Sequence, residues 1–450
     1  MIWLQLIVLL AMVLIGSHLK GIGLGLMGVL GMFIFVQFFG MKPAQPPGDI
    51  MLIILSIVTL SAALEAVGGL NYLVSVAENV IRSNPKNVTL IAPLVSFVLC
   101  LFAGTSHVIY SLLPIISDVA AKNRVRPERP LSVSVIACHA SLTGSPMAAC
   151  TAAFASILSI KGIVPFDIMI VCIPSCFLGC IAASLVMYKY GKELNDDPVF
   201  LEKMKDPEFA AAIDMKTSAN AGQQDMRKAK IAVGIFAMAI LIIVLGGSFP
   251  QLVPKTAEGN ANFHVNADGT LKMVTIIEII SLSAAAVMAL VTKTSADKIV
   301  KASLFTSMAS ALVSVFGVVW MAATFMDHNK EIITGSLGAA VADHHWLFAV
   351  AIFVMGILMF SQGATTKSMM PLGLALGLSP AALIAMFPAV NSFFVLPGYP
   401  TILNAIYMDK TGSTKIGNFV INHSFLLPGM VQMVVSISAG FLFAKLFGVG

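Results

Sequence analysis

Four short polar stretches interrupt an otherwise apolar sequence, and they hold the side chains able to handle a ligand. Gly104–His107 (GTSH) offers backbone N–H groups, the Thr105 and Ser106 hydroxyls and the His107 imidazole, with Tyr110 one turn further on. Thr143–Pro146 (TGSP) sets the Thr143 and Ser145 hydroxyls beside a glycine and a proline. Ser361–Lys367 (SQGATTK) carries Gln362, Thr365, Thr366 and Lys367, and Phe387–Thr401 (FPAVNSFFVLPGYPT) carries three prolines and Asn391. Hydroxyls and helix N-termini hold anions. Carbonyls freed by proline hold cations. The plainer alternatives are a tight turn whose hydroxyls cap themselves and a simple kink.

The surrounding sequence places these stretches in a membrane. Of 450 residues, 58% are hydrophobic and 11% charged, against about 25% charged in soluble domains. The net charge of +5 follows the membrane faces and gives no reason to expect nucleic acid. Apolar runs predict helices at 2–17, 21–40, 49–67, 166–188, 231–247, 273–292, 301–325 and 417–446. Ile2–Gly16 lacks a basic leader and is expected to be a retained first helix. Around GTSH lie two fourteen-residue limbs, Leu90–Ala103 and Val108–Ala121. At 1.5 Å per residue each reaches about 21 Å, short of a ~30 Å hydrocarbon core, which predicts a hairpin turning back inside the membrane (89–122). TGSP breaks the helix 130–160. Trp346–Leu378 repeats the hairpin with SQGATTK at its tip, and 379–408 repeats the broken helix. Non-helical backbone at membrane depth survives only where protein or a watery cavity satisfies it, and transporters build midplane sites from such parts. Lys367 at that depth costs about 2.5–3.5 kcal/mol on insertion scales. No acid lies close to it in sequence, so an anionic ligand is one partner for it and snorkelling the alternative.

The expected fold is therefore an all-α polytopic membrane protein. It is an inverted repeat of two halves, each with five spanning helices, one of them broken, and one re-entrant hairpin. The first repeat covers 1–188 and the second 231–450. A solvated linker, 189–230, holds eight acids and eight bases. With both termini outside, twenty Lys and Arg fall on the cytoplasmic side and six outside, leaving Lys367 in the membrane, in keeping with the positive-inside rule. Asn71–Ser83 is expected to lie as a surface helix on the inner face.

Other signals are weaker. The six cysteines lie in apolar runs and are expected to pack as small apolar residues; with no His or acid beside Cys172, Cys176 and Cys180, no metal site is expected. Glu65 and Glu278 carry a proton, pair with a base or sit near an interface. His139 and His423 are expected to be hydrogen-bonded packing residues. The glycines from Gly21 to Gly31 lack a βαβ context and indicate close helix packing. No nucleophile–base pair or paired acids at matched breaks suggests an enzyme, and no repeated pore ring suggests a channel.

Five stretches, Gly104–Val135, Ser141–Ala149, Ser361–Gly373, Pro388–Ile402 and Gly417–Val431, together resemble the anaerobic C4-dicarboxylate transporter family of the DcuA and DcuB type, within the wider ion-transporter superfamily. The resemblance implies a multi-pass carrier of the bacterial inner membrane, without cofactor, exchanging fumarate, malate or aspartate for succinate by alternating access. It also implies a scaffold domain paired with a moving transport domain, often as a homodimer. A cation-coupled symporter, with Na⁺ or a proton at the breaks, stays open. Two polar tips offer one place for each carboxylate, and on this reading Thr105, Ser106, His107, Tyr110, Thr143, Ser145, Gln362, Thr365, Thr366, Lys367 and Asn391 form the substrate site. The topology is checked by Asp214→Cys in a Cys-less background: an impermeant thiol reagent should label it only from the cytoplasmic side, and labelling from outside would overturn the topology.

Overall fold

The computed structural model describes residues 2–19, 22–46, 48–158, 161–214, 225–249, 252, 265, 269–305, 346–359, 361–417 and 422–449, with scattered positions between 312 and 332. Parts of the expected helix 301–325 and of the linker thus fall outside the described residues. Among those described, every regular element is helical apart from an isolated bridge between Val265 and Leu271.

In the first half, α1 (Ile2–Leu19) packs on α2 (Gly23–Phe39), and α3 (Gly48–Val67) leads into α4 (Gly69–Ser83). The chain bends by 73° between the last two, at Gly68, whose φ of 90° suits glycine. α4 buries Val74, Ala77 and Ile81 along one face, the pattern of a helix lying on a surface. The first hairpin is α5 (Val88–Ala103) and α6 (Ile109–Lys122). The first broken helix is α7 (Glu128–Leu142) and α8 (Ala149–Leu158), and α9 (Pro165–Met187) closes the half. The linker forms α10 (Pro198–Lys203) and α11 (Pro207–Asp214).

The second half contains α12 (Met226–Ser248), α13 (Met273–Thr292) and the short α14 (Ala296–Val300). Its hairpin is α15 (Trp346–Met359) and α16 (Gln362–Ala375). Its second break runs from α17 (Pro380–Met386) through a 3-10 stretch, Phe387–Val395, to α18 (Pro400–Met408); α19 (Leu426–Leu446) follows. Five described helices, 85–103, 165–187, 226–246, 275–292 and 426–446, are long and apolar enough to cross a bilayer, and two bent pairs add to them.

The first limb is longer than the sequence suggests. With the 3-10 turn Pro85–Asn87 ahead of it, it runs for 19 residues, enough to cross by length alone. Yet the chain returns to its starting level: Asp118, near the end of α6, accepts from Arg82, just before α5, at 3.0 Å. The second hairpin closes likewise, a Cβ built on Gly373 near the end of α16 lying 2.8 Å from the ring of Phe348 at the start of α15. At each break a buried serine side chain ties the break to the hairpin of its own half. Ser145 Oγ donates to Leu101 O at 2.6 Å, and Ser392 Oγ donates to Phe353 O at 2.6 Å. Thr151 from α8 donates to the Leu142 carbonyl freed at the end of α7, at 2.6 Å.

A buried polar network ties the chain together at the base of the first hairpin. Arg129, 3% exposed, caps the end of α9 by donating to the carbonyls of Tyr188, Tyr190 and Gly191 and to Glu193. Arg126 bridges Glu128 and Asp197 at 2.6 and 2.9 Å. Ser424 donates to Glu128, and the Glu128 N–H donates to Ser413. Ser413 in turn donates to Asp409 at 2.7 Å.

Gly104 ends α5 with φ +66°, and a Cβ there would lie 2.7 Å from the Met147 carbonyl oxygen. Gly40 has φ +62° with open space around it. Gly40→Ala should therefore cost only the left-handed strain, about 1–2 kcal/mol, whereas Gly104→Ala adds overpacking of about 1–3 kcal/mol. Thermal unfolding of the two purified variants in detergent checks the order; equal losses would refute it.

Candidate functional site

The two hairpin tips and the first helix break enclose one cavity of about 230 Å³. Drug-sized ligands occupy about 300–1,000 Å³, so this space suits a smaller molecule. From the first tip come Gly104, Thr105, Ser106 and His107; from the second, Ser361, Gln362, Gly363 and Lys367. Met147, Ala148, Ala149 and Cys150 line it from the break, Tyr399 from the second break, and Ile54, Ile57, Val58 and Ser61 from α3. The wall is apolar along α3 and polar at the tips, so a ligand would be oriented by its ends.

At the first tip, Thr105 is extended and caps the turn that follows. Its Oγ1 accepts from the His107 N–H at 3.3 Å and lies 2.9 Å from His107 Nδ1. The imidazole is thereby fixed through Nδ1, with Nε2 as its other polar atom. Tyr110 sets its ring edge-on to His107, 5.9 Å between centroids, and supports the tip without lining the cavity.

The second tip is shorter than SQGATTK suggests. Ser361 caps α16 by accepting from the Ala364 N–H, so Gln362 onward is already helical. Thr365 and Thr366 then spend their hydroxyls on their own helix, donating to Ser361 O at 2.8 Å and Gln362 O at 2.7 Å. Neither lines the cavity, and the residues facing Thr105 across it are Ser361–Gly363. Thr143 and Ser145 likewise turn to the backbone, Thr143 donating to Ala140 O at 2.7 Å and Ser145 to Leu101 O. Asn391 sits behind Gln362, whose Nε2 donates both to Asn391 Oδ1 and, at 2.9 Å, to His139 O. Of the eleven expected residues the cavity brings together Thr105, Ser106, His107, Gln362 and Lys367.

Lys367 is the electrostatic centre of the cavity. It is 7% exposed, and its Nζ has no hydrogen-bond partner among the described residues. Leaving an ammonium buried and unpaired is among the costliest arrangements a fold can hold. No carboxylate is among the described lining residues.

Several lining residues escape the sequence reading. Tyr399 stacks on Phe393, 4.3 Å between centroids, and meets His139 edge-on at 5.0 Å; its place between two prolines was the available signal. Cys150 lies four residues past TGSP and nothing local distinguishes Ser61, whereas Ser361 opens the SQGATTK stretch read from the sequence. His139 and His423 are hydrogen-bonded as expected, to Thr401 Oγ1 at 2.8 Å and Val395 O at 3.1 Å. Glu65 accepts from the Ser303 and Leu304 N–H groups and the Ser303 hydroxyl. The six cysteines are free and buried.

A polytopic helical bundle whose hairpin tips and helix breaks border a small cavity with polar ends has the architecture of membrane carriers. The family model described as the anaerobic C4-dicarboxylate membrane transporter, DcuA/DcuB, matches residues 1–448. The C4-dicarboxylate transporter DcuA of Wolinella succinogenes is 35% identical, over 98% of this chain and 99% of that one. The anaerobic C4-dicarboxylate transporter DcuB of Escherichia coli O6:H1 is also 35% identical, over 99% and 98%. The chain thus belongs to the anaerobic C4-dicarboxylate membrane transporter family, whose members are transporters and not enzymes. Its fold is similar to that of the YdaH transporter of Alcanivorax borkumensis, with a TM-score of 0.54 at 16% identity over 99% of this chain and 97% of that one. Neisseria gonorrhoeae MtrF gives 0.53 at 14% identity over 92% and 84%.

If Thr105 holds the first tip, Thr105→Val should lower stability by about 1 kcal/mol, the usual loss of an N-cap, and Thr105→Ser should restore most of it. Thermal unfolding with and without each substitution checks this; a neutral Thr105→Val would sink the capping role.

Proposed function

We propose that the protein is a secondary transporter that exchanges C4-dicarboxylates across the bacterial inner membrane by alternating access, moving fumarate, malate or aspartate against succinate. The observation that carries the reading is Lys367 Nζ, buried in the cavity between the tips with no hydrogen-bond partner among the described residues. A four-carbon dicarboxylate fits the volume and presents a carboxylate at each end. One would pair with Lys367 through charge-assisted hydrogen bonds. The other would meet the first tip, where Thr105, Ser106 and His107 supply donors without a fixed full charge. Donors of that kind hold an anion loosely enough for release.

We further propose that the halves, 1–188 and 231–450, are inverted repeats joined by a cytoplasmic linker. The paired serine-to-hairpin bonds of Ser145 and Ser392 support this, as does the course of the breaks. The first runs from the base of the first hairpin inward to the cavity. The second comes from the open end of the second hairpin and finishes at that same base, where Ser117 donates to Met408 O at 2.9 Å. The two hairpins would then open to opposite faces of the membrane.

Binding of succinate to purified, monodisperse protein tests the site. Removing a hydrogen bond to a charged group costs about 1.5–3 kcal/mol, so Lys367→Ala should raise the Kd for succinate roughly 10- to 150-fold. Lys367→Arg should retain part of the affinity, since charge remains while donor geometry changes. The loss should be smaller for a monoanionic half-ester. Unchanged succinate affinity in Lys367→Ala would remove this residue from the site, and failure of vesicles loaded with fumarate to take up labelled succinate would defeat the exchange reading.

A further inference from the structure

The orientation of one amide is fixed by its surroundings. Gln362 Nε2 donates to the backbone carbonyl of His139 at 2.9 Å, and to Asn391 Oδ1. A backbone carbonyl only accepts, so the amide cannot be reversed without setting Oε1 against His139 O. Asn391 is locked in turn, its Oδ1 toward Gln362 and its Nδ2 without a partner among the described residues. The amide nitrogen is committed on the side away from the cavity. Gln362 also lines the cavity, so the polar atom it has left to offer there is Oε1.

We infer that Gln362 is the specificity-determining residue of this cavity, its Oε1 accepting from an α-ammonium or α-hydroxyl group of the substrate and so favouring 2-amino and 2-hydroxy C4-dicarboxylates over unsubstituted ones. The inference rests on the proposed reading of the cavity as a dicarboxylate site. Lys367 and the donors of the first tip serve carboxylates, and carboxylates only accept. An acceptor among them has no use for succinate. It does have a use for a donor carried beside one of the carboxylates. With no acid on the described walls, an α-ammonium has few other partners, the amide oxygen and the hydroxyl lone pairs being the ones present. Gln362 precedes Lys367 by five residues on α16, an axial offset of about 7.5 Å, so the two residues meet different parts of a ligand. When an unsubstituted dicarboxylate fills the cavity, Oε1 loses water and gains no donor, and an unpaired acceptor of this kind discriminates about tenfold or more.

Equilibrium binding of L-aspartate, L-malate and succinate to the purified full-length protein tests this. In Gln362→Met the preference for L-aspartate and L-malate over succinate, taken as a ratio of Kd values, should fall about tenfold. A parallel loss of all three ligands in Gln362→Met, with the ratio unmoved, would mean that Gln362 only ties the second tip to α7, and would overturn the inference. If Gln362→Met does not fold, the unmutated protein decides, and binding of L-aspartate and L-malate no tighter than that of succinate overturns the inference. Failure of the unmutated protein to bind any of the three would instead overturn the dicarboxylate reading itself, an outcome distinct from a change of ratio.

Discussion

An unpaired backbone N–H or C=O in hydrocarbon costs several kcal/mol, yet this chain breaks its helices twice in mid-segment. The rest of the structure follows from how those breaks are covered. At the first, Thr151 donates to the freed Leu142 carbonyl, and at each a serine hydroxyl ties the break to a carbonyl of the neighbouring hairpin limb, Ser145 to Leu101 and Ser392 to Phe353. A hairpin must therefore stand beside each break, and its tip must end at the depth of the break. Gly104 completes the fit on one side, because any side chain there would run into the Met147 backbone. The cavity is the space that remains between two such assemblies.

Much of this was legible in the sequence because punctuation in an apolar chain is informative. Gly-Thr-Ser-His, Thr-Gly-Ser-Pro and the triple-proline run of Phe387–Thr401 announced the turns and breaks, and hydropathy located the helices between them. Lys367 announced itself by its cost. What could not be read was the direction of hydroxyls. A threonine at a tip and a threonine one turn into a helix look alike in sequence, but Thr105 caps a turn beside the cavity whereas Thr365 and Thr366 donate back to their own helix. The difference is set by where α16 starts, and that was decided by Ser361 as its cap. Tyr399 was passed over for a related reason: its position on the cavity depends on the packing of Phe393 and His139, contacts between residues distant in sequence.

The polar groups at the base of the first hairpin do a different job from those in the cavity. Arg82, Arg126 and Arg129 each have carboxylate partners, and Glu128 and Asp409 are surrounded by donors. The buried charges there are matched within the protein, which fixes the ends of α6, α7, α9 and α18 relative to one another. In the cavity the opposite holds. Lys367 keeps its Nζ without a hydrogen-bond partner among the described residues.

The unpaired ammonium has an electrical consequence. On the proposed reading the empty cavity carries one positive charge, and a seated dianion turns this to one negative. The membrane potential acts on a charge by about 2.3 kcal/mol per 100 mV for a full crossing, so it pulls the empty and the loaded cavity in opposite directions. Swapping one dianion for another cancels that work, because the loaded cavity crosses both ways with the same charge. An empty return does not cancel it, and the cycle then becomes sensitive to voltage. One lysine would thereby leave the exchange of one dianion for another electrically silent, let exchange with the monoanion aspartate move charge, and set an inside-negative potential against net uptake.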